Sequence, residues 1–238
     1  FADLMSETRR GIREVSLEAL KERIEKLDWM SKETKAKALE KWNTFDPKIG
    51  YPDKWRDYSG LKIRREDGYF RNVLAAAEFE NAFQISKIGK PADPKEWGMP
   101  PQVVNAYYNP LKNEIVFPAA ILQPPFFDPQ ADMALNYGGI GAVIGHEMLH
   151  GYDDEGSQFD AAGNNKNWWT EDDKKNFNAR TAKLVAQFDD YVAIDDLHVK
   201  GELTLGENIA DLGGITVALD ALNRALMTVR MAQIDGFT

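Results

Sequence analysis

The chain has 238 residues, no cysteine and a formal net charge of −9, with 29 Lys and Arg against 38 Asp and Glu. Its hydrophobic share of 43% suffices for a buried core in one substantial domain or two small ones. The acidic balance argues against nucleic acid as a partner, and the lack of cysteine excludes disulfides, thiolate zinc sites and a cysteine nucleophile. No apolar run approaches the roughly 18–20 residues of a membrane helix, so we expect no membrane contact from this segment.

The N-terminal region has the pattern of amphipathic helices. From residue 1 to about 45 apolar side chains recur at helical spacing, and Ser31 is placed to cap the second of two helices. A break containing Pro and Gly follows over 47–52, and helical spacing resumes over 69–87. The next stretch is rich in Gly and Pro, and it predicts a domain boundary near residue 98.

A β-hairpin is predicted next, with strands over 103–108 and 114–117 and a turn between them. The strand that bears Asn105 is a candidate edge strand. If it flanks a cleft, its backbone can take up an extended peptide as an added strand. An apolar cluster follows over 121–127, and clusters of this kind are more often core than pocket lining.

Three long helices are predicted in the C-terminal half. The first runs from about 133 to 150 and contains four glycines, at 138, 139, 141 and 145. Three of them share a face, so we expect another element to approach that backbone closely. Thr170 caps the second helix, which ends near 190. The third runs from 207 to about 228, with Ile209 and the leucines at 212, 219, 222 and 226 as its expected inner face.

A short metal-binding pattern, His146-Glu147-Met148-Leu149-His150, ends the first of these helices. Residues four apart lie on one helical face, so the imidazoles of His146 and His150 can bind the same ion. Glu147 lies about 100° round the helix, where it can reach a water on the metal but cannot easily join the ligands. So short a pattern also arises by chance and does not establish a metal site by itself.

A catalytic zinc site needs a third protein ligand and keeps its fourth position for water. The metzincin spacing is excluded, because Asp153 and Gly156 stand where that class has Gly and His. Glu207 and Asp211 lie four apart on a later helix, so one carboxylate can bind the metal while the other accepts an N–H of a ligating histidine. We assign Glu207 as the ligand and Asp211 as the outer partner, with one Zn²⁺ per chain and Glu147 as general base.

Eight segments spread along the chain carry a family resemblance. They are 27–30, 49–53, 104–108, 115–118, 121–127, 136–141, 146–150 and 206–214. Together they resemble the neprilysin family of zinc endopeptidases (peptidase family M13), which includes endothelin-converting enzyme and bacterial oligopeptidases of the PepO type. The resemblance implies a mainly helical α+β fold: a thermolysin-like (gluzincin) core with a small sheet over 99–238, and a helical region over 1–98 that links to a second lobe.

The same resemblance implies roles for single residues. It places zinc on His146, His150 and Glu207, with Glu147 as base and Asp211 orienting a histidine. It implies that Asn105 and Ala106 hold the substrate backbone, and that Phe126, Ile121 and Val143 line the pocket for the residue after the scissile bond. Family members continue beyond residue 238 with a histidine that stabilises the tetrahedral intermediate, and Asp153 matches the outer partner of that histidine. We therefore expect a C-terminally truncated catalytic core.

The leading hypothesis is a zinc-dependent endopeptidase that hydrolyses oligopeptides through a metal-activated water. The alternative is a catalytically impaired fragment that serves as a peptide-binding or assembly module and needs a complementary segment. In that case a companion chain, or missing segments of the same protein, would be a partner beside the peptide. The compartment is not fixed by the sequence, and the resemblance slightly favours a periplasmic or secreted location over a cytoplasmic one.

Overall fold

In the computed structural model, which describes residues 16–234, the chain is mainly helical. The part of the predicted N-terminal helices over 1–15 lies outside the described residues. The helices are α1 (Leu17–Lys26), α2 (Lys32–Asn43), α3 (Gly68–Ile85), α4 (Met133–Asn136), α5 (Ala142–Leu149), α6 (Glu171–Asp189) and α7 (Leu205–Ile234). The strands are β1 (Asp46–Gly50), β2 (Tyr107–Asn109), β3 (Glu114–Pro118), β4 (Val192–Ile194) and β5 (Leu197–His198). A π-helical turn over Tyr137–Gly141 joins α4 to α5.

Contacts divide the chain into two compact units. The smaller unit is Pro52–Gly98, and the larger one combines the residues up to Tyr51 with those from Met99 onward. In the smaller unit no side chain of α3 is buried, and the Arg56 guanidinium lies 4.0 Å from the ring centre of Phe83. The end of this unit coincides with the predicted boundary near residue 98. A helical domain over 1–98 stays a prediction.

The larger unit contains a three-stranded sheet in the order β1, β3, β2. β2 and β3 pair antiparallel as the predicted hairpin requires, but β2 begins at Tyr107, so Asn105 precedes the edge strand instead of lying on it. β1 pairs parallel with β3, with Asp46 opposite Glu114. The sequence does not predict β1, because it is short, contains Pro47 and has a partner far along the chain.

The core of the larger unit is built around β3. Ile115, Val116 and Phe117 have no exposed surface, and Met148 of α5 is buried as completely. The predicted capping of α2 is confirmed, because the Ser31 hydroxyl accepts the backbone N–H of Thr34. The same arrangement holds at α6, where the Thr170 hydroxyl accepts the backbone N–H of Asp173.

Helices α5 and α7 touch at two glycines. A Cβ added to Gly145 would lie 2.4 Å from the carbonyl oxygen of Gly214, and one added to Gly214 would lie 2.5 Å from the backbone nitrogen of His146. The close approach expected from the glycines is therefore confirmed at Gly145. At Gly138 it is wrong, because a Cβ there would meet nothing within 4 Å.

The inner face of α7 differs from the prediction. Its buried residues include Ala210, Val217, Ala218 and Ala221. Three of the expected core leucines are exposed instead, Leu212 to 61%, Leu219 to 57% and Leu226 to 47%. Small side chains fill the buried face because the glycine contact leaves no room there for leucine. By length and composition alone, Leu205–Met231 would also suffice to cross a membrane, with a mean hydropathy of 1.2.

Candidate metal centre

Two histidine side chains converge at the end of α5. His146 lies in its last turn and His150 directly follows the helix as its C-cap. Their Nε2 atoms are 2.9 Å apart, and the two rings are nearly perpendicular at 89°. Each side chain is 19% exposed, so the pair lies at the protein surface with one side open.

A third donor reaches the pair from α7. Glu207 Oε2 lies 3.3 Å from His146 Nε2 and 3.8 Å from His150 Nε2. The glycine contact between α5 and α7 holds the carboxylate at this distance, because Glu207 is two turns before Gly214 on the same helix. Within residues 16–234, His146, His150 and Glu207 form the one grouping of His, Asp and Glu that could hold a metal ion.

Carboxylates hold the outer nitrogens of both rings. Asp211 Oδ1 lies 2.8 Å from His146 Nδ1, and Asp153 Oδ2 lies 2.7 Å from His150 Nδ1. A carboxylate at Nδ1 keeps the proton on that atom and leaves the Nε2 lone pair for a metal. Burial alone would lower the pKa of His150, but the hydrogen bond and charge of Asp153 outweigh it and raise that pKa.

Asp153 contacts His150, a partner that the sequence analysis does not assign to it. The pairing of Asp153 with a histidine beyond residue 238 stays a prediction. The other carboxylate oxygen of Asp153 accepts the backbone N–H groups of Glu155, at 2.9 Å, and Gly156, at 2.6 Å. The spacing of three residues between His150 and Asp153 is the sequence signal that could have indicated this contact.

The three donors fit a tetrahedral zinc ion. Zinc bonds of about 2.0–2.1 Å place any two ligand atoms about 3.3–3.4 Å apart in a tetrahedron. The three separations here, 2.9, 3.3 and 3.8 Å, scatter around that value. The two Nε2 atoms lie 2.9 Å apart, a distance that a proton on one of them or a bound metal ion satisfies. The donor set thus suits a metal with one coordination position left.

Glu147 lines a cavity together with His146, His150 and Glu207, and it is 6% exposed. Burial raises the pKa of Glu147 to about 7; His150 opposes this rise, Glu207 adds to it, and the backbone N–H of Tyr108 opposes it. A carboxyl group with a pKa near neutrality can accept a proton and release it again in the same reaction cycle. The role of Glu147 as general base stays a prediction.

The cavity has a volume of about 370 Å³. Its wall contains the metal-binding grouping and Glu147 on one side, and Asn105, Ala106, Tyr107, Tyr108 and Pro110 on the other. Three further residues predicted for a substrate pocket do not line it. Ile121 is buried in the hydrophobic core, and Phe126 and Val143 pack against that core. Their role in a pocket stays a prediction.

A larger groove of about 850 Å³ lies between α1 and α7, but its charged groups pair with one another. Arg23 and Asp220 are 2.6 Å apart, and Arg224 pairs with Glu22. It has no histidine in its wall. The cavity beside Glu147 is therefore the candidate site for chemistry.

Comparisons with known proteins show which family the sequence matches. Residues 105–238 match the model of the peptidase family M13, and residues 15–52 match a second model with the same description. Neprilysin-11 of Caenorhabditis elegans is 46% identical over 205 residues, which are 83% of this chain and 24% of that protein.

Two solved structures are similar as well. The zinc metalloprotease Zmp1 of Mycobacterium tuberculosis, in complex with an inhibitor, is 51% identical with a TM-score of 0.89. PepO from Lactobacillus rhamnosis is 38% identical with a TM-score of 0.86. The match covers 94% and 93% of this chain respectively, and 35% of each of those chains. The chain thus spans about a quarter to a third of the length of these relatives. The predicted fold class is confirmed.

Proposed function

The chain belongs to peptidase family M13, and from this we propose that it forms the zinc-binding core of an endopeptidase that cleaves oligopeptides. The observation that carries the proposal is the grouping of His146, His150 and Glu207 with a carboxylate at each outer imidazole nitrogen. The proposed ligands are these three residues, and the proposed positioning residues are Asp211 and Asp153.

Zinc bound there would activate a water and polarise the scissile carbonyl. Glu147 is the proposed general base: its buried carboxylate takes the proton from the attacking water and later delivers it to the leaving amine. Its raised pKa suits both steps, because the acid and base forms of Glu147 are then both accessible near neutral pH. Asp211 and Asp153 hold the histidine rings so that no ring has to turn during the reaction.

A peptide backbone is the proposed ligand of the opposite wall. Asn105 and Ala106 directly precede the edge strand β2 and line the cavity beside His146 and Glu147. Extended peptides add to sheet edges through main-chain hydrogen bonds, and such pairing would lay the scissile bond across the cavity. Phe126, Ile121 and Val143 remain the proposed pocket for the side chain after that bond.

Domain organisation and partners belong to the same proposal. Residues 1–98 are proposed to link the core over 99–238 to a second lobe, and further segments of the protein or a companion chain would complete the site. A periplasmic or secreted location is proposed as well. These proposals about domains, partners and location are inferred from the relatives, and this chain spans only a minor part of the length of those proteins.

The test pairs Glu147→Gln with Glu155→Gln. Both residues line the cavity and both changes remove one carboxylate, but Glu155 is exposed and has no role in the proposal. We expect Glu147→Gln to bind one zinc per chain and to lose roughly 10²- to 10⁴-fold in cleavage of an internally quenched peptide. Glu155→Gln should cleave at a rate close to that of the unmodified chain.

Two results would count against the proposal: no stoichiometric zinc in metal analysis, or measurable cleavage at equal rates by Glu147→Gln and the unmodified chain. Zinc binding by a chain that cleaves no peptide would instead favour the alternative, a peptide-binding or assembly module. Adding the remaining segments of the protein then separates the two functions, because restored cleavage rules out a pure binding module.

A further inference from the structure

Lys41 of α2 is buried, although lysine belongs to the residue types that are least often inside a protein. Its exposed fraction is 1%. The ammonium donates to the carbonyl oxygens of Gly156, at 2.6 Å, and Phe159, at 2.8 Å. The rings of Tyr108 and Tyr152 lie 5.7 and 5.9 Å from Nζ. An enclosed charge of this kind is costly unless hydrogen bonds and nearby charges compensate it, so its position requires a reason.

The segment that Lys41 contacts is the loop after the histidine pair. Gly156 donates its backbone N–H to Asp153 Oδ1 at 2.6 Å. It also packs on the backbone of His150 so closely that an added Cβ would lie 1.7 Å from the His150 carbonyl oxygen. The loop therefore cannot move at Gly156 without moving Asp153 or His150.

We propose that Lys41 is a positioning residue for the metal centre. The Lys41 ammonium fixes the carbonyl group of Gly156, the N–H of Gly156 fixes Asp153, and Asp153 fixes the ring of His150. Three hydrogen bonds thus connect a residue of the N-terminal helical region to a metal ligand more than a hundred positions later. The inference rests on the proposed function, because it assumes that His150 binds zinc.

Charge supports the same assignment. The Asp153 side chain is almost fully buried, with the residue 4% exposed. Burial lowers the pKa of Lys41 to about 8, and the negative charges of Asp153 and Asp160 oppose this lowering only in part. The two groups therefore lie within electrostatic reach of each other in a region with little water.

Lys48 offers a comparison within the same unit. Its side chain is 10% exposed and pairs with Glu114, which is 1% exposed, across β1 and β3. This ion pair joins two strands of the sheet and is not one of the three hydrogen bonds that lead from Lys41 to His150. Lys48→Met therefore removes an ammonium from the same unit outside that path and serves as the control.

The experiment compares Lys41→Met, Lys41→Gln and Lys48→Met in the full chain. Methionine keeps an unbranched apolar stem but removes the charge and the donors, and glutamine restores one neutral donor. The first readout is the zinc dissociation constant, from competition with a chromophoric chelator. The second is the ¹⁵N chemical shifts of the imidazoles in the metal-free chain, which report the tautomer of each of the three histidines.

We expect Lys41→Met to weaken zinc binding by roughly 10- to 100-fold, the usual effect of removing support from a metal ligand. The His150 signals should move from the Nδ1–H tautomer toward a mixture, and Lys41→Gln should fall between Lys41→Met and the unmodified chain. Lys48→Met should lower thermal stability but leave zinc affinity and the His150 signals unchanged.

Several results would overturn the proposal. These are unchanged zinc affinity in both Lys41 variants, an equal loss in Lys48→Met, or failure of both Lys41 variants to fold, which would make Lys41 a stability residue only. If only Lys41→Met fails to fold, Lys41→Gln decides. The absence of zinc from the unmodified chain would refute the metal centre itself, whereas normal binding there with unaffected Lys41 variants refutes this inference alone.

Discussion

The contact between Gly145 and Gly214 leads to a direct test of how the fold holds the third ligand. In Gly145→Ala the new Cβ would start 2.4 Å from the Gly214 carbonyl oxygen, and ordinary contact begins at 3.4 Å. Helix α7 must therefore move away from α5 by about 1 Å at this point, and it carries Glu207. Ligand atoms in a metal site tolerate shifts of only about 0.2 Å, so we expect zinc affinity to fall by at least roughly ten-fold.

Stability should fall in the same variant. Overpacking a close contact costs about 1–3 kcal/mol, and the better helix propensity of alanine returns about 1 kcal/mol. The net loss of up to about 2 kcal/mol corresponds to a decrease of up to about 8 °C in melting temperature for a domain of this size. Thermal unfolding with and without zinc, together with chelator competition, measures both effects.

Gly138→Ala is the matched control for Gly145→Ala. It makes the same chemical change in the same glycine-rich segment, at a position where an added Cβ meets nothing within 4 Å. We expect Gly138→Ala to keep its zinc affinity and to gain up to about 1 kcal/mol. Equal stability and equal zinc affinity in the two variants would refute the reasoning that the glycine contact sets the position of Glu207.

Two further predictions concern carboxylates. Asp173 accepts from the hydroxyls of Ser31 and Thr170; burial alone would raise its pKa, but these hydrogen bonds outweigh burial and lower the pKa to about 2. The stabilisation by the ionised Asp173 carboxylate is thus complete above about pH 4 and is lost as pH falls toward 2. We expect Asp173→Asn to lower the free energy of unfolding by about 1–3 kcal/mol at pH 7 and by less at pH 2.5, as measured by urea unfolding. The same difference in free energy at both pH values would contradict this. Asp211→Asn should weaken zinc binding by roughly 10- to 100-fold in chelator competition, because His146 loses the carboxylate that accepts its Nδ1–H. Unchanged zinc affinity would show that Asp211 does not support the metal ligand.

The sequence determined those features whose cause is local. Ser31 and Thr170 cap the helices that follow them because a hydroxyl before a helix meets unpaired backbone N–H groups. His146 and His150 face one point because helical spacing of four puts both rings on one side. Asp211 was assigned to a histidine from the same rule, and the structure places it at His146.

Tertiary structure decided the features that depend on a distant partner. Periodicity indicates which residues share a face but not what covers that face, so Leu212 and Leu219 were expected inside although α5 packs on the small residues of α7. The parallel strand β1 depends on pairing with β3, whose residues lie 68 positions later in the chain. Lys41 reaches the loop after His150 only because the tertiary fold brings α2 next to Gly156. No local pattern encodes such contacts, because their energy comes from the partner and not from the segment itself.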